Sequence, residues 1–231
     1  MTRLRPDLAP AWLRPALGLD TAKLQQSIGS DRTRVFAGPL PRRRRESAVL
    51  LLWKGRSFAE AEVLLTHRSP TMRAHSGQIA FPGGRRDAAD ATLIDTALRE
   101  AEEETGLNRA TVTPLELWEE VNIRATGNPV STVQAYWHSP EKVWAASSEE
   151  TDDVFCLPLA ELIDPAHRTQ VGFKEWSGPA FFARGYVVWG FTAGVLSTLI
   201  AHAGWEEEWD NNSVLDLRET LLASRNNEKM V

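Results

Sequence analysis

An α/β/α sandwich around a mixed β-sheet is the fold class this sequence predicts, and three observations lead to it. Short apolar runs bounded by turn residues lie both before and after one amphipathic helical stretch that ends at Gly106. A second apolar stretch of helical length, Thr192 to Ala203, comes near the end of the chain. No repeat of about 20 to 50 residues recurs, which excludes solenoids and propellers. Strands on both sides of a helix with an apolar stripe cover that stripe with the sheet they form.

Residues 1–45 form an extension. It holds an apolar segment from Leu8 to Leu17, a short helical stretch near Ala22 to Ile28, and a basic run from Arg42 to Arg45. Glu46 to Trp53 and Ala61 to His67 are rich in Val and Leu and predict two strands, paired as a hairpin across the polar link Lys54 to Glu60. Ser69 to Gly77 predicts a loop, Gln78 to Phe81 a short strand, and Pro82-Gly83-Gly84 a turn where glycine permits close backbone approach.

The central helix has Asp90 or Thr92 to cap its start and Gly106 to take the left-handed position after its end. Leu93, Ile94, Ala97, Leu98 and Ala101 recur at helical spacing and make its packing face. Thr111 to Val121, Val130 to Trp137 and Val154 to Leu157 predict strands, the first two separated by the turn Thr126-Gly127-Asn128-Pro129. Pro158-Leu159 opens a short helix through Ile163, and Ala180 to Ala183 pairs with Tyr186 to Trp189 across Arg184-Gly185. The chain thus divides into an extension with a basic linker (1–45), a central domain (46–204) and a C-terminal tail (205–231), in which Glu206-Glu207-Glu208 reads as a solvated acidic patch.

Composition narrows the function classes. A chain of 231 residues, 42% of them hydrophobic, suffices for one globular domain with extensions. A net charge of −5 argues against a dedicated nucleic-acid binder, and the run Arg42 to Arg45 reads as a solvated edge ahead of a strand. Cys156 is the single cysteine, so an internal disulfide and a cysteine metal site are excluded, which fits a reducing compartment. No stretch reaches the roughly 20 apolar residues of a membrane span. The N-terminus lacks a secretory apolar core, and Lys229-Met230-Val231 is not a peroxisomal address. A cytoplasmic protein without a membrane or nucleic-acid partner is expected; a homodimer is left open.

The chemistry concentrates in Arg99-Glu100, Glu103-Glu104 and Gly106. At about 3.6 residues per turn, Glu103 and Glu104 fall within roughly 60° of Glu100 on either side, while Glu102 points nearly the opposite way. Like charges at this spacing destabilise a bare helix, so the face calls for a cation. Carboxylate oxygens on one rigid face suit Mg²⁺ or Mn²⁺. On the glutamates alone, a solvated acidic face explains the pattern as well.

With their neighbours these residues resemble the Nudix box, G-x5-E-x7-R-E-U-x-E-E-x-G-U, in which U is a bulky aliphatic residue. Gly84 stands at the opening glycine, and Arg99-Glu100, Glu103-Glu104, Gly106 and Leu107 match the second half. Asp90 replaces the first glutamate, eight residues rather than seven separate it from Arg99, and Ala101 is small at a U position. Immediately upstream, Leu64-Leu65-Thr66, Arg68-Ser69, Arg73, Gly77 and Phe81-Pro82-Gly83-Gly84 resemble the motif of Nudix enzymes that hydrolyse coenzyme A, L-L-T-K-R-S/A-x3-R-x3-G-x3-F-P-G-G. His67 stands there in place of lysine. In that subfamily the longer spacer and an aspartate at the Asp90 position are common.

The resemblance implies the Nudix α/β/α sandwich and Mg²⁺- or Mn²⁺-dependent cleavage of the pyrophosphate of coenzyme A or acyl-coenzyme A. The products would be adenosine 3′,5′-bisphosphate and 4′-phosphopantetheine. It makes Glu100, Glu103 and Glu104 the metal ligands and Arg99 the residue that aligns a ligand carboxylate. Either Glu103 or Glu150 takes the proton from water; Glu150 lies in the acidic run Glu149-Glu150-Thr151-Asp152-Asp153, which reads equally as a solvated loop. Arg68 and Arg73 become the phosphate contacts, since guanidinium binds phosphate bidentately. His67 and His75 stand beside them, and Gly83 and Gly84 contribute backbone. Trp118 and Trp137 are candidates for stacking adenine, against ordinary core roles. Two other outcomes are a pyrophosphatase acting on another nucleoside diphosphate derivative and a ligand-sensing domain without turnover; the retained glutamates disfavour the second.

Overall fold

The structure is a computed structural model, and it describes residues 3–27, 46–72, 75–122 and 129–228. The run Arg42 to Arg45, Arg73, and Thr126-Gly127-Asn128 of the expected turn lie outside the described residues. In chain order the elements are α1 (Thr21–Ser27), β1 (Ser47–Lys54), β2 (Glu62–Arg68), β3 (Ile79–Ala80), β4 (Gly83–Arg85), α2 (Leu93–Thr105), β5 (Val112–Leu117), β6 (Val121–Asn122) and β7 (Pro129–Trp137). There follow β8 (Thr151–Pro158), α3 (Leu159–Ile163), β9 (Arg168–Phe173), β10 (Trp176–Ala183), β11 (Tyr186–Val188), α4 (Gly190–His202), β12 (Val214–Asp216) and α5 (Leu217–Leu222).

The main sheet is mixed. Its spine runs β3-β2-β1-β7-β5, with β4 added to β1, β6 to β7 and β8 to β2. β1 and β7 are parallel and the other pairs antiparallel. Strand side chains alternate between faces, and β1 shows what that achieves. Ala48, Leu50 and Leu52 join Ile94, Ala97, Leu98 and Ala101 of α2 in one core. Leu51 and Trp53 join Val195, Leu196, Leu199 and Ile200 of α4 in another. The sheet is therefore covered on both sides, as the sandwich requires. Leu50, Leu51 and Leu52 are fully buried, each worth about 1.5–3 kcal/mol of apolar burial.

The expected hairpin of β1 and β2 is corrected. The two strands pair only at Trp53–Val63 and Lys54–Glu62, because β2 turns away to pair along its length with β8. The edge of β1 thus vacated is taken by β4, which joins Ser47, Ala48 and Val49. Pro82-Gly83-Gly84 is consequently no free turn: Gly83 and Gly84 open a strand. A Cβ at Gly83 would stand 2.4 Å from the Ala48 carbonyl oxygen, so only glycine lets β4 approach. The single strand expected from Thr111 to Val121 breaks into β5 and β6, and its register shifts between Pro114 and Glu116, where proline has no N–H for the ladder.

A second, four-stranded sheet, β11-β10-β9-β12, follows the box. The turn Arg184-Gly185 joins β10 to β11 as expected. β9, β12 and α5 carried no signal strong enough to predict them. Residues from 205 onward, expected as a tail, supply β12 beside β9 and α5, whose Leu217 and Leu221 pack on Val171, Ala180 and Val187. Glu206 accepts a hydrogen bond from the buried Arg168 at 2.9 Å rather than standing in a wholly solvated patch. Ala9, Leu13, Ala16, Leu19 and Leu24 of the N-terminal extension are buried against the α4 side of the sheet, where Trp12, Trp53 and Trp205 meet at centroid distances of 6.1–6.2 Å.

Candidate active site

The box helix α2 is fixed at both ends. Thr92 is its N-cap: the hydroxyl accepts from the Asp95 N–H at 3.2 Å, and the Asp95 carboxylate accepts from the Thr92 N–H at 3.0 Å. Such a capping box satisfies two otherwise orphaned donors. Gly106 ends the helix at φ 65°, the left-handed conformation glycine adopts without a Cβ penalty. The apolar stripe faces β1 and β7, so the glutamates point along the sheet's rim toward β4.

Glu104 is buried, with the Gly83 N–H at 3.3 Å and the Arg68 guanidinium at 3.7 Å. Burial pushes its pKa up to about 8; Arg68 and the Gly83 N–H oppose this, whereas Glu100 and Glu150 add to it. Glu100 is half-buried, and its carboxyl is raised by burial against the pull of Arg99, with Glu103 and Glu150 raising it further. Gly84 makes room for it: a Cβ there would lie 2.5 Å from the Glu100 carboxylate.

Arg99 organises the outer side of the cluster. It reaches Glu100 and Glu103 at 2.9 Å each and the Arg85 carbonyl at 2.9 Å. Its Nε and Nη2 both donate to Asp90, each at 3.0 Å. This bidentate contact holds the Asp90 carboxyl down at about 2, against a burial cost, with the Asp87 N–H and Thr96 hydroxyl assisting. Asp90 is therefore not the helix cap but the anchor of Arg99, a role that its place in the box hinted at without defining. Glu103 is more than half exposed and held by Arg99, so it stands outward of Glu100 and Glu104. Glu102 pairs with Arg109 at 2.7 Å on the other side.

Glu150 sits in the turn before β8, where its carbonyl accepts from the Ser69 N–H at 2.8 Å. Its charge acts on both Glu100 and Glu104, so the structure brings the acidic loop to the box. Arg68, at the end of β2, adds its side chain at Glu104 and donates to the Met72 sulfur at 3.2 Å. Its Nε is buried and has no partner.

His67 departs from its expected place. It is buried, with Nδ1 on the Asp152 carboxylate, Nε2 3.0 Å from the Asn226 carbonyl, and its ring stacked on Tyr186 at 4.7 Å. Both nitrogens are engaged by the protein, so His67 ties β2 to β8 and to the C-terminal segment. A strand residue alternating away from the site explains this, for Arg68 and His67 face opposite sides. His75 lies exposed on the loop, 2.9 Å from Gln78. Trp137 and Trp118 are buried core residues whose indole N–H groups donate to Thr111 and Glu116, which removes both from adenine stacking. Asn226 and Glu228, which hold the site from behind, gave no local signal in the sequence, and Asp152 stood in an acidic run that did not mark it as the partner of His67.

A helix presenting carboxylates to a glycine strand, with a clamping arginine and a sheet behind it, defines the class: a hydrolase of the Nudix fold. The NUDIX domain family matches residues 42–177. The relatives include Nudix hydrolases NudL, themselves uncharacterized. That of Klebsiella pneumoniae is 38% identical over 149 residues, covering 62% of this chain and 75% of the relative. That of Citrobacter koseri is 35% identical over 174 residues, covering 70% and 84%. Among solved structures, the Nudix hydrolase RenU from M. smegmatis aligns with TM-score 0.47 and 21% identity over 70% of this chain and 87% of its own. The chain belongs to the Nudix family and is a Nudix hydrolase. No helix among the described residues is long and apolar enough to cross a membrane.

Proposed function

We propose that this hydrolase cleaves the pyrophosphate bond of coenzyme A or an acyl-coenzyme A, releasing adenosine 3′,5′-bisphosphate and 4′-phosphopantetheine. The observation that carries the reading is Arg68: the coenzyme A-type motif ends β2 with a guanidinium 3.7 Å from the buried Glu104, where a phosphate beside the carboxylate cluster would meet it. Arg73 and the glycines Gly83 and Gly84 continue the motif in sequence, while His67, which replaces its lysine, is a buried tie.

The carboxylates fit a divalent cation by their chemistry. Glu104 is buried, and its nearest cation, Arg68, is beyond hydrogen-bond distance. Burial and neighbouring carboxylates raise the proton affinity of Glu100 (Glu103 and Glu150 beside it) and of Glu104 (Glu100 and Glu150 beside it), a repulsion that hard cations relieve. Among the described residues no three such side chains already converge as a ready-made cage. Glu100 and Glu104, with Glu103 as the outer ligand, would hold Mg²⁺ or Mn²⁺. When bound, such an ion neutralises the pyrophosphate and lowers the pKa of a water. Arg99 keeps Glu100 and Glu103 in place, and Gly83 fixes Glu104. Glu150 is the better-placed base, since Glu103 is bound to Arg99 and no ion pair among the described residues engages Glu150.

The test is a substrate panel with Mg²⁺ and Mn²⁺: coenzyme A, its 3′-dephospho form, ADP-ribose and diadenosine polyphosphates, products read by mass. Coenzyme A should be cleaved best. Arg68→Ala should lower its turnover efficiency by about ten- to a hundredfold, the worth of a charge-assisted contact. An enzyme that prefers ADP-ribose or diadenosine substrates refutes the assignment.

A further inference from the structure

The loop between β2 and β3, which follows Arg68, is backed by the last described residues of the chain. Asn226 behaves as a one-residue strand: its Oδ1 accepts from the Val187 N–H at 2.8 Å, and its Nδ2 donates to the Val187 carbonyl at 3.0 Å. Its backbone carbonyl then meets His67 Nε2 at 3.0 Å. Two residues on, Glu228 accepts from Gln78 Nε2 at 2.7 Å and from the Trp189 indole at 2.9 Å. Between these contacts Gly77 crosses the segment so closely that a Cβ would stand 2.3 Å from the Asn226 carbonyl oxygen and 2.8 Å from the Glu228 Cα. The C-terminal segment thus requires a glycine at this place in the motif.

The contacts continue into the site. The Gln78 carbonyl accepts from the Arg68 N–H, and the Gly77 N–H donates to the Arg68 carbonyl, each at 2.9 Å. Arg68 then stands beside Glu104. We infer that residues 226–228 are a positioning element of the active site, with Asn226 and Glu228 as positioning residues that hold Arg68 and its loop in register for substrate. This rests on the reading that Arg68 meets a substrate phosphate. Loss of these contacts weakens substrate binding while the carboxylates, held by α2, β4 and Arg99, keep their arrangement.

Four proteins decide it: wild type, Glu228→Ala, Glu228→Gln and Arg225→Ala. Arg225 is the control, since it lies over Tyr186 and donates to the Arg184 carbonyl, away from the loop. Amide hydrogen exchange without substrate should rise about tenfold across residues 69–72 and 75–78 in Glu228→Ala and stay at the wild-type rate there in Arg225→Ala. In kinetics with coenzyme A, and with ADP-ribose in parallel, KM should rise about tenfold in Glu228→Ala with kcat within about twofold. Glu228→Gln keeps one acceptor of two and should fall between, and it decides the matter if the alanine variant does not fold. Wild-type exchange in the loop, or identical effects of the Glu228 and Arg225 variants, overturns the inference. Cleavage of ADP-ribose alone would sink the coenzyme A assignment, and the KM split would then be read on ADP-ribose. If neither is cleaved, exchange decides.

Discussion

Gly83 and Gly84 are neighbours in one strand, yet an added methyl should do opposite things at the two positions. At Gly84 the new Cβ would lie 2.5 Å from the Glu100 carboxylate, which is the far end of a flexible side chain. The backbone there is not in the left-handed region, so alanine is conformationally allowed. The carboxylate must retreat by about 1 Å to regain ordinary contact near 3.5 Å, and the ion pair to Arg99 at 2.9 Å moves with it. Relief through a side chain costs little, and alanine restricts the unfolded chain, so stability should change by less than about 1 kcal/mol. Turnover is another matter: a misplacement of about 1 Å costs roughly a hundredfold. At Gly83 the Cβ meets the Ala48 carbonyl oxygen at 2.4 Å and the Val49 Cα at 2.6 Å, both backbone. Relief there means parting β4 from β1, at about 3 kcal/mol or more. Urea denaturation and steady-state turnover with Mg²⁺ should therefore separate Gly84→Ala, stable and slow, from Gly83→Ala, destabilised. Wild-type turnover in Gly84→Ala, or equal destabilisation by both, would show that Glu100 is not held where its packing implies.

Chelation should abolish activity and Mg²⁺ or Mn²⁺ restore it, with Glu104→Gln losing about a hundredfold and Glu102→Gln, an exposed partner of Arg109, staying within about twofold. A Mn²⁺ titration should find Glu150→Gln binding as wild type but turning over about a hundredfold slower, as for a lost base, and Glu103→Gln binding more weakly. Near-normal turnover in Glu150→Gln returns that turn to a solvated surface. Asp90 falls from 3.8 unfolded to about 2 folded, so its stabilisation is present above about pH 4 and is lost as pH falls toward 2. The shift corresponds to about 2.4 kcal/mol, which screening at the protein surface reduces to about 1–2 kcal/mol. Urea midpoints at pH 7 and pH 3 should therefore lie closer together in Asp90→Asn than in the wild type, and an unchanged difference would place the acid sensitivity elsewhere.

What was legible in the sequence is what depends on local period and spacing. The apolar run of β1, the stripe of α2 and the caps at Thr92 and Gly106 are properties of short windows. So is the geometry of Glu100 against Glu102. Partner choice is not. That β2 leaves β1 for β8 depends on strands about 90 residues apart, and no window holds both. His67 was read by its neighbours in the motif, yet its environment is set by Asp152, Tyr186 and Asn226. β12 and α5 escaped because an exposed three-residue strand and a six-residue helix carry too little pattern to predict.

The altered half of the box shows how a departure in sequence leaves the chemistry intact. The additional residue between Asp90 and Arg99 does not rotate the glutamates, because the register of Arg99, Glu100, Glu103 and Glu104 is set from the N-cap Thr92 onward, and Asp90 precedes that cap. What changes is where the acidic side chain leaves the loop before the helix. The loop is pinned there by the Asp90 carboxylate accepting from the Asp87 N–H at 2.9 Å and from the Thr96 hydroxyl at 3.0 Å. From that position an aspartate, one methylene shorter than glutamate, suffices to receive two donors of Arg99 at 3.0 Å. The longer loop and the shorter acid thus act together to deliver the carboxylate to the guanidinium. Lengthening the acid alone, by Asp90→Glu, would push the carboxylate into Arg99 and through it into Glu100.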